Sequence, residues 1–248
     1  MFQGCRGYVV ALGAATALFG ACSGGSTPQR QGGTGGAGTG GAEPADAGAD
    51  VSATGGEAEG GADAPTLMSN CTVAGSLLVD CGFELPMVTG GYSNFAVGQS
   101  FAGWMVVGVA GGIVSPLGTT FQQNGFSFPA HEGDQTLDLT GPGSNTASGV
   151  SQAVTTTAGA RYDLSFWVGN IVNPGGLFGT TSKVLVFVDD VQIFSAENDD
   201  GAGTVTLAWK GFSTSFVANG ASTTIEFRNG DPSTDNSNIL DDIVLLQE

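Results

Sequence analysis

Short runs in which polar and apolar residues alternate recur along residues 66–248, and they constrain the fold more than any other feature. Successive side chains of a β-strand point to opposite faces, so such runs are typical of strands with one buried face. Turn-forming residues separate the runs, and none of them has the period of about 3.6 residues expected of a helix. The clearest runs occupy residues 76–83, 101–109, 135–140, 148–156, 161–169, 183–194, 204–217, 222–228 and 239–247. The pattern predicts an all-β fold, an antiparallel β-sandwich or jelly roll, over residues 66–248.

One of these runs differs from the others. Residues 183–188 are apolar at nearly every position, which predicts a central strand packed on both faces. Asp189 and Asp190 follow directly and suit a tight hairpin turn, so the chain is expected to reverse into the apolar residues 191–194.

The N-terminus predicts export. Residues 1–21 have the form of a signal peptide, with Arg6 before an apolar stretch of 13 residues. That stretch is too short for a permanent transmembrane helix, which needs about 20 residues. It leads into Cys22 through a sequence similar to a bacterial lipobox, in which the cysteine becomes lipidated. We expect a lipid anchor on the bacterial outer membrane or cell surface, with plain secretion and an incidental Cys22 as the alternative.

Residues 22–65 predict a disordered tether rich in Gly, Ala and acids. Positions 23–65 hold 14 glycines in 43 residues, and Val51 is their one aliphatic residue beyond alanine. Such a segment buries too little apolar surface to offset the entropy lost on ordering its backbone. The whole chain has a net charge of −17, which repels phosphate backbones, so nucleic acid is not an expected partner.

Two cysteines remain in the predicted domain. Cys71 and Cys81 lie ten residues apart, and in an oxidising compartment they can close a small disulfide-bonded loop. The alternative is a pair of small buried apolar side chains. Zinc is not expected, because the chain has neither a CxxC pair nor a histidine besides His131.

Five motifs then occur in a recognisable order. They are residues 78–86, 101–104, 133–139, 149–166 and 238–245. Together they resemble family 642 of domains of unknown function, which occurs in plant cell-wall proteins and in exported bacterial proteins. The resemblance implies a galactose-binding-like sandwich with the architecture of a carbohydrate-binding module. Asp80 and Cys81 depart from the Asn-Gly usual in that family, and a Gly-rich insertion lies around residues 170–181.

The same resemblance implies a structural calcium ion joining the first and last strands. Its acidic ligands would be Glu84, Asp241 and Asp242, and backbone carbonyls would complete a shell of six to eight oxygens. The competing interpretation is a solvated acidic edge at which Asp241 and Asp242 cap a turn.

No motif for catalysis is present. The G-x-S-x-G pattern of serine hydrolases does not occur, and His131 beside a glycine turn is typical of a loop residue. With so many acids, some pair will meet the spacing of a glycosidase by chance. We therefore expect that the chain is not an enzyme.

Aromatic residues are the candidates for ligand contact, because sugar rings present apolar C–H groups that stack on aromatic faces. The candidates are Trp104, Trp167, Trp209, Tyr92 and Phe178. Trp104 is expected in the core, and among the other four Trp167, Phe178 and Trp209 are the predicted carbohydrate-binding residues. Phe178 lies in a Gly-rich loop, where we expect it to present an apolar tip to solvent; the alternative is that it packs back onto the sheet.

The function predicted from these observations is a surface-displayed module that binds carbohydrate or cell-wall polysaccharide, for adhesion or polymer recognition. The first alternative is a structural envelope lipoprotein without a soluble ligand. The second is a cryptic esterase or glycosidase.

Overall fold

The structure, a computed structural model, describes residues 71–89, 91–141, 146–231 and 237–248. The predicted signal peptide, Cys22 and the predicted tether lie outside these residues. Within them, no helix has the length and apolar character needed to cross a membrane.

Fourteen β-strands make up the described fold. They are β1 (Phe95–Ala96), β2 (Ser100–Phe101), β3 (Trp104–Val107), β4 (Ile113–Gly118), β5 (Gln122–Gln123), β6 (Phe126–Ser127), β7 (Gln135–Asp138), β8 (Gly149–Thr155), β9 (Arg161–Asn170), β10 (Ser182–Val188), β11 (Val191–Asn198), β12 (Ala208–Val217), β13 (Ser222–Asn229) and β14 (Ile239–Gln247).

Twelve of these strands form two antiparallel sheets of six. The first sheet has the order β1-β4-β7-β14-β9-β12, and the second has the order β11-β10-β13-β8-β3-β2. Strands β5 and β6 form a separate small hairpin. The predicted antiparallel β-sandwich is confirmed.

The main core lies between the two sheets. Strand β9 shows how the alternating pattern builds it: Tyr162, Leu164, Phe166 and Val168 are buried, whereas the residues between them are wholly or partly exposed. Phe166 packs edge-on against Phe227 of the second sheet, with ring centroids 5.2 Å apart. Each large apolar side chain buried in this way contributes about 1.5–3 kcal/mol to stability.

Trp104 is fully buried in this core, as expected. Its ring packs 5.4 Å from the ring of Phe83, and its indole N–H donates a hydrogen bond to the Asp80 carbonyl. The Phe83 segment is thereby attached to the second sheet.

The predicted strand at residues 76–83 is wrong. This segment contacts β14 through two backbone–backbone hydrogen bonds, from Leu77 N to Leu245 O and from Ile243 N to Cys81 O, and through one from Leu245 N to Ser76 Oγ, but it forms no strand. Asp80 and Phe83 have φ angles of 51° and 58°, which are left-handed conformations that interrupt an extended chain. The Cys71–Cys81 disulfide is present, with Cα atoms 4.8 Å apart, and closes the segment into a loop.

Two further strand predictions need correction. Residues 101–109 include a reversal at Ala102 and Gly103, both with positive φ, so β2 and β3 form a hairpin and not one strand. Strand β10 is buried on one face only, since its other face carries half-buried Leu185 and Phe187.

The hairpin turn predicted at Asp189 and Asp190 is confirmed. Both residues have positive φ, 47° and 65°, and they join the paired strands β10 and β11. Two consecutive left-handed residues are the requirement of a type I′ turn.

The outer face of the first sheet, which points away from the main core, carries a second apolar cluster. Its buried members come from strands β4 and β14 and from the loops that cross this face. They are Leu117, Phe128, Ile171, Phe178, Leu207 and Ile239. Loops therefore cover part of a sheet face that a simple sandwich would leave open to solvent.

Candidate functional site

A pocket of about 480 Å³ opens where these loops meet the first sheet, and we call it the outer pocket. Its volume falls within the range of about 300–1,000 Å³ that is usual for small-molecule sites. It is lined by Tyr92, Ser115, Leu117, Phe121, Gln122, Gln123, Phe128, Asp138, Gly141, Leu177, Phe178 and Ser237. These residues come from strands β4, β5 and β7 and from loop residues around them.

Aromatic rings form one wall of the outer pocket. Tyr92 is 43% exposed and meets Phe121 edge to face, with centroids 5.8 Å apart. The ring centroids of Phe121 and Phe128 are 5.3 Å apart, and those of Phe128 and Phe178 are 5.5 Å apart. The buried rings hold Phe121 in place, and Phe121 in turn supports the exposed ring of Tyr92.

Asp138 supplies the pocket's carboxylate. It lies opposite Ser115 in the pairing of β7 with β4, so both side chains point to the outer face. One carboxylate oxygen of Asp138, Oδ1, accepts hydrogen bonds from Thr140 N at 2.9 Å and from Thr140 Oγ1 at 2.6 Å. Burial raises the pKa of Asp138 to about 6, because the charged form is poorly solvated there.

Ser237 supplies a hydroxyl that is not satisfied. The residue is 2% exposed, and its Oγ finds no hydrogen-bond partner among the described residues. A buried polar group left without a partner costs about 1–3 kcal/mol. A ligand hydroxyl entering the pocket could remove that cost.

Of the residues that line the outer pocket, the sequence predicted Phe178 as a carbohydrate-binding residue and placed Tyr92 among the aromatic candidates, but it did not indicate Asp138 or Ser237. A usable signal existed for Asp138, because Leu137 and Leu139 on either side of it face the core and the acid must point outward. Ser237 gives no comparable signal in the sequence.

Phe178 is not exposed, so the expectation that it presents an apolar tip to solvent is wrong. Only 1% of its surface is accessible, and it packs edge to face against Phe126 and Phe128. The alternative, in which the loop folds back onto the sheet, is confirmed. Phe178 lines the inner wall of the outer pocket.

Trp167 and Trp209 lie together on the outer face of the first sheet. Each ring rests on the glycine directly opposite in the pairing of β9 with β12: Trp167 on Gly211, and Trp209 on Gly169. A Cβ at Gly211 would lie 3.3 Å from the Trp167 ring, and one at Gly169 would lie 3.1 Å from the Trp209 ring. Glycine at both positions lets the indoles approach the backbone.

His131 covers the other side of Trp167. The two rings stack with centroids 3.9 Å apart and an angle of 19° between their planes. His131 also meets Trp209 edge to face at 5.7 Å. Because Gly211 and His131 occupy both faces of Trp167, a sugar could stack on this ring only if His131 moved away.

The fold brings Glu84 and Asp241 together, as the calcium prediction requires. A Cβ built on Gly82 would lie 3.5 Å from Asp241 Oδ1, 3.6 Å from Glu84 Oε1 and 3.9 Å from the carbonyl oxygen of Glu132. Three oxygens from three segments thus surround one small space, and oxygen is the ligand that calcium prefers.

This oxygen set is incomplete. The carboxylate of Asp241 already accepts hydrogen bonds from the backbone N–H groups of His131, Glu132 and Asp242. Asp242 has a φ of 46° at a β-bulge, and its carboxylate contacts Thr72 and His131. Among the described residues, no group of three or more His, Cys, Asp or Glu side chains is arranged to hold a metal. Calcium therefore stays a prediction.

Burial gives these acids unusual protonation behaviour. It raises the pKa of Asp241 well above the ordinary value, against the lowering effect of its three backbone hydrogen bonds. Burial also raises the pKa of Glu84, which accepts hydrogen bonds from Asp134 N and Gln135 N. A bound cation would favour the charged forms and lower both pKa values.

No family model matches the sequence, and no curated protein is significantly similar to it. The predicted membership of family 642 therefore stays a resemblance.

Solved structures with a similar fold include cyclases and carbohydrate-binding modules. The Stig cyclase Fisc from Fischerella sp. TAU, in complex with (3Z)-3-(1-methyl-2-pyrrolidinylidene)-3H-indole, is 17% identical over 70% of this chain and 98% of its own, with a TM-score of 0.49. The module TmCBM61, in complex with β-1,4-galactotriose, is 17% identical over 70% and 99% of the two chains, with a TM-score of 0.36. The CBM22-1 xylan-binding domain of Paenibacillus barcinonensis Xyn10C is 18% identical over 62% and 92%, with a TM-score of 0.37.

At these identities the likeness concerns the fold alone. It nevertheless corrects one expectation, that the chain is not an enzyme. Solved structures with this kind of sandwich include cyclases, which are enzymes, so the fold gives no ground for excluding catalysis.

Proposed function

We propose that the chain binds carbohydrate in the outer pocket, with Tyr92 as the ring on which a sugar stacks. The observation that carries this proposal is the exposed Tyr92 ring, supported by Phe121, in one pocket with a carboxylate, hydroxyls and side-chain amides. A sugar presents an apolar face and a rim of hydroxyl groups, and it needs both kinds of partner.

The polar groups of the pocket suit hydroxyl recognition. Asp138 can accept hydrogen bonds, and the unpartnered Ser237 Oγ can both donate and accept. Gln122 and Gln123 are exposed at the pocket rim, where their amides offer further donors and acceptors.

The biological setting that we propose follows from the N-terminus. A lipid on Cys22 and a tether over residues 22–65 would display the module at the cell surface, where it could recognise cell-wall polysaccharide or mediate adhesion. Membrane partitioning of the full-length chain, with release of a Cys22→Ala variant into the aqueous phase, tests this part independently of ligand binding.

Binding is tested with the full-length chain in pull-downs on insoluble polysaccharides and by calorimetry with oligosaccharides. Tyr92→Ala should weaken binding by about tenfold or more, equivalent to about 1.4 kcal/mol. Tyr92→Phe keeps the ring and should bind nearly as well as the wild type. Phe187→Ala removes a half-buried ring from the second sheet and is the matched control, for which we expect unchanged affinity.

The variants also separate this site from the one predicted at the tryptophans. If Trp167→Ala abolishes binding while Tyr92→Ala binds normally, the ligand lies beside His131 and not in the outer pocket. If the wild type binds no polysaccharide from plants, fungi or bacteria, the proposal is wrong. A structural envelope role would then be favoured by abundant, stoichiometric co-purification with envelope components.

A further inference from the structure

We infer that the outer pocket accepts uncharged sugar units and excludes sugars that carry a carboxylate or sulfate group. This inference rests on the proposed carbohydrate-binding function and names the class of ligand for the same site.

The first argument is the charge of the lining. Asp138 and the phenol of Tyr92 are the pocket's titratable groups among the described residues, and neither can be positively charged. The described lining contains no Lys, Arg or His. An anionic sugar would therefore enter without a cation to pair with it, and burying an unpaired charge is strongly unfavourable.

The second argument is that the cations of the described fold are engaged elsewhere. The structure describes four Lys and Arg residues, and each forms an ion pair with an acid. The pairs are Arg161 with Glu248, Lys183 with Glu197, Lys210 with Asp199, and Arg228 with Glu226. None of these cations lines the outer pocket.

The third argument is the position of Asp138. Its carboxylate is half-buried on the pocket wall beside Ser115, so a uronate carboxylate bound in the pocket would face a second negative charge at short range. Like charges in a partly desolvated site repel strongly. A neutral hydroxyl can instead donate a hydrogen bond to Asp138 and exchange one with Ser237.

The test compares sugars that differ only in charge. The probes are β-1,4-linked tetrasaccharides of galactose, glucose and mannose, each paired with a counterpart whose terminal unit is oxidised at C6 to a carboxylate. Calorimetry of the full-length wild type at pH 7.5 should show binding of at least one neutral probe. Its oxidised counterpart should bind at least about tenfold more weakly, equivalent to about 1.4 kcal/mol.

Asp138→Asn provides the second arm. The amide keeps an acceptor for Thr140 and removes the charge, so the ratio between the neutral and oxidised probes should shrink by about threefold or more, equivalent to about 0.7 kcal/mol. An unchanged ratio in this variant would contradict the role of Asp138.

The outcomes separate the two proposals. Equal affinity of the wild type for a neutral probe and its oxidised counterpart overturns the inference and leaves carbohydrate binding standing. Binding of the oxidised probes alone overturns it as well. Failure of every probe and every polysaccharide, charged or neutral, counts against carbohydrate binding itself.

Discussion

Replacing Asp80 by Asn should stabilise this protein at neutral pH. Asp80 is 2% exposed, and burial raises its pKa to about 6, against the lowering effect of the hydrogen bonds that its carboxylate accepts from backbone N–H groups. One of these donors is Leu85 N, at 3.2 Å from Oδ1. Asparagine keeps an oxygen acceptor for Leu85 N and carries no charge. It also tolerates the left-handed φ of 51° found at this position.

The sign of the effect follows from the direction of the pKa shift. The folded state binds the Asp80 proton more tightly than the unfolded chain, in which the pKa is near 3.8. Below about pH 4 both states are protonated and the buried charge costs nothing. The stability contributed by the protonated group is lost as the pH rises from about 4 through the folded-state pKa near 6. Above pH 6 the folded state carries the full free-energy cost of the buried Asp80 charge.

The magnitude comes from the same shift. A rise from 3.8 to about 6 corresponds to about 3 kcal/mol, since one pKa unit is about 1.4 kcal/mol. The Asp80→Asn variant should therefore exceed the wild type in free energy of unfolding by up to about 3 kcal/mol at pH 7.5. The difference should approach zero at pH 4. Other buried acids with raised pKa, such as Asp138, are present in both proteins and cancel in the comparison.

Urea denaturation followed by tryptophan fluorescence at the two pH values measures this difference. Asp190→Asn is the matched control, because Asp190 is also left-handed, with a φ of 65°, but is exposed. We expect the control to change stability by no more than about 0.5 kcal/mol at either pH. A gain for Asp80→Asn that is the same at pH 4 and pH 7.5 would refute the reasoning, and so would a loss of stability at pH 7.5.

Three further predictions concern other parts of the fold. Replacing Cys71 and Cys81 by Ser should lower the free energy of unfolding by about 2–3 kcal/mol, measured in urea, and equal stability of the two proteins would contradict this. Gly149→Ala should cost about 2–4 kcal/mol, because a Cβ there would clash with the carbonyl oxygen of Phe227, whereas Gly220→Ala, with its nearest contact at 3.7 Å, should be nearly neutral. Calcium should raise the melting temperature of the wild type and chelator should lower it, while Asp241→Asn should not respond; a wild type indifferent to chelator would argue against the ion.

Much of the sandwich could be predicted from sequence because its strands obey a local rule. Strands β8, β9, β13 and β14 coincide with alternating runs to within one or two residues. Alternation wrongly predicts a strand where residues with left-handed φ interrupt the extended backbone, as at Asp80 and Phe83, because the alternating pattern does not reveal the φ of a residue. It also fails at β4 (Ile113–Gly118), where Pro116 lies within a strand that the alternation did not indicate.

The candidate site was less predictable. Alternation requires that one of the adjacent residues Phe166 and Trp167 faces away from the core, and the structure shows that it is Trp167. The sequence could not predict that His131 and Gly211 cover the two faces of the Trp167 ring. His131 lies 36 positions before Trp167, and Gly211 is opposite Trp167 only through the pairing of β9 with β12.

What the sequence determined by itself was the alternation of strands such as β8, β9, β13 and β14, the turn at Asp189 and Asp190, and the spacing that allows the disulfide. Each of these depends on neighbours within about ten residues. The tertiary structure alone decided the outer pocket, since Tyr92, Asp138 and Ser237 are far apart in the chain and meet only because β4, β7 and β14 are adjacent in the first sheet. The physical reason is that side-chain alternation is a local property of the backbone, whereas the order of strands in a sheet is set by the burial of the whole core.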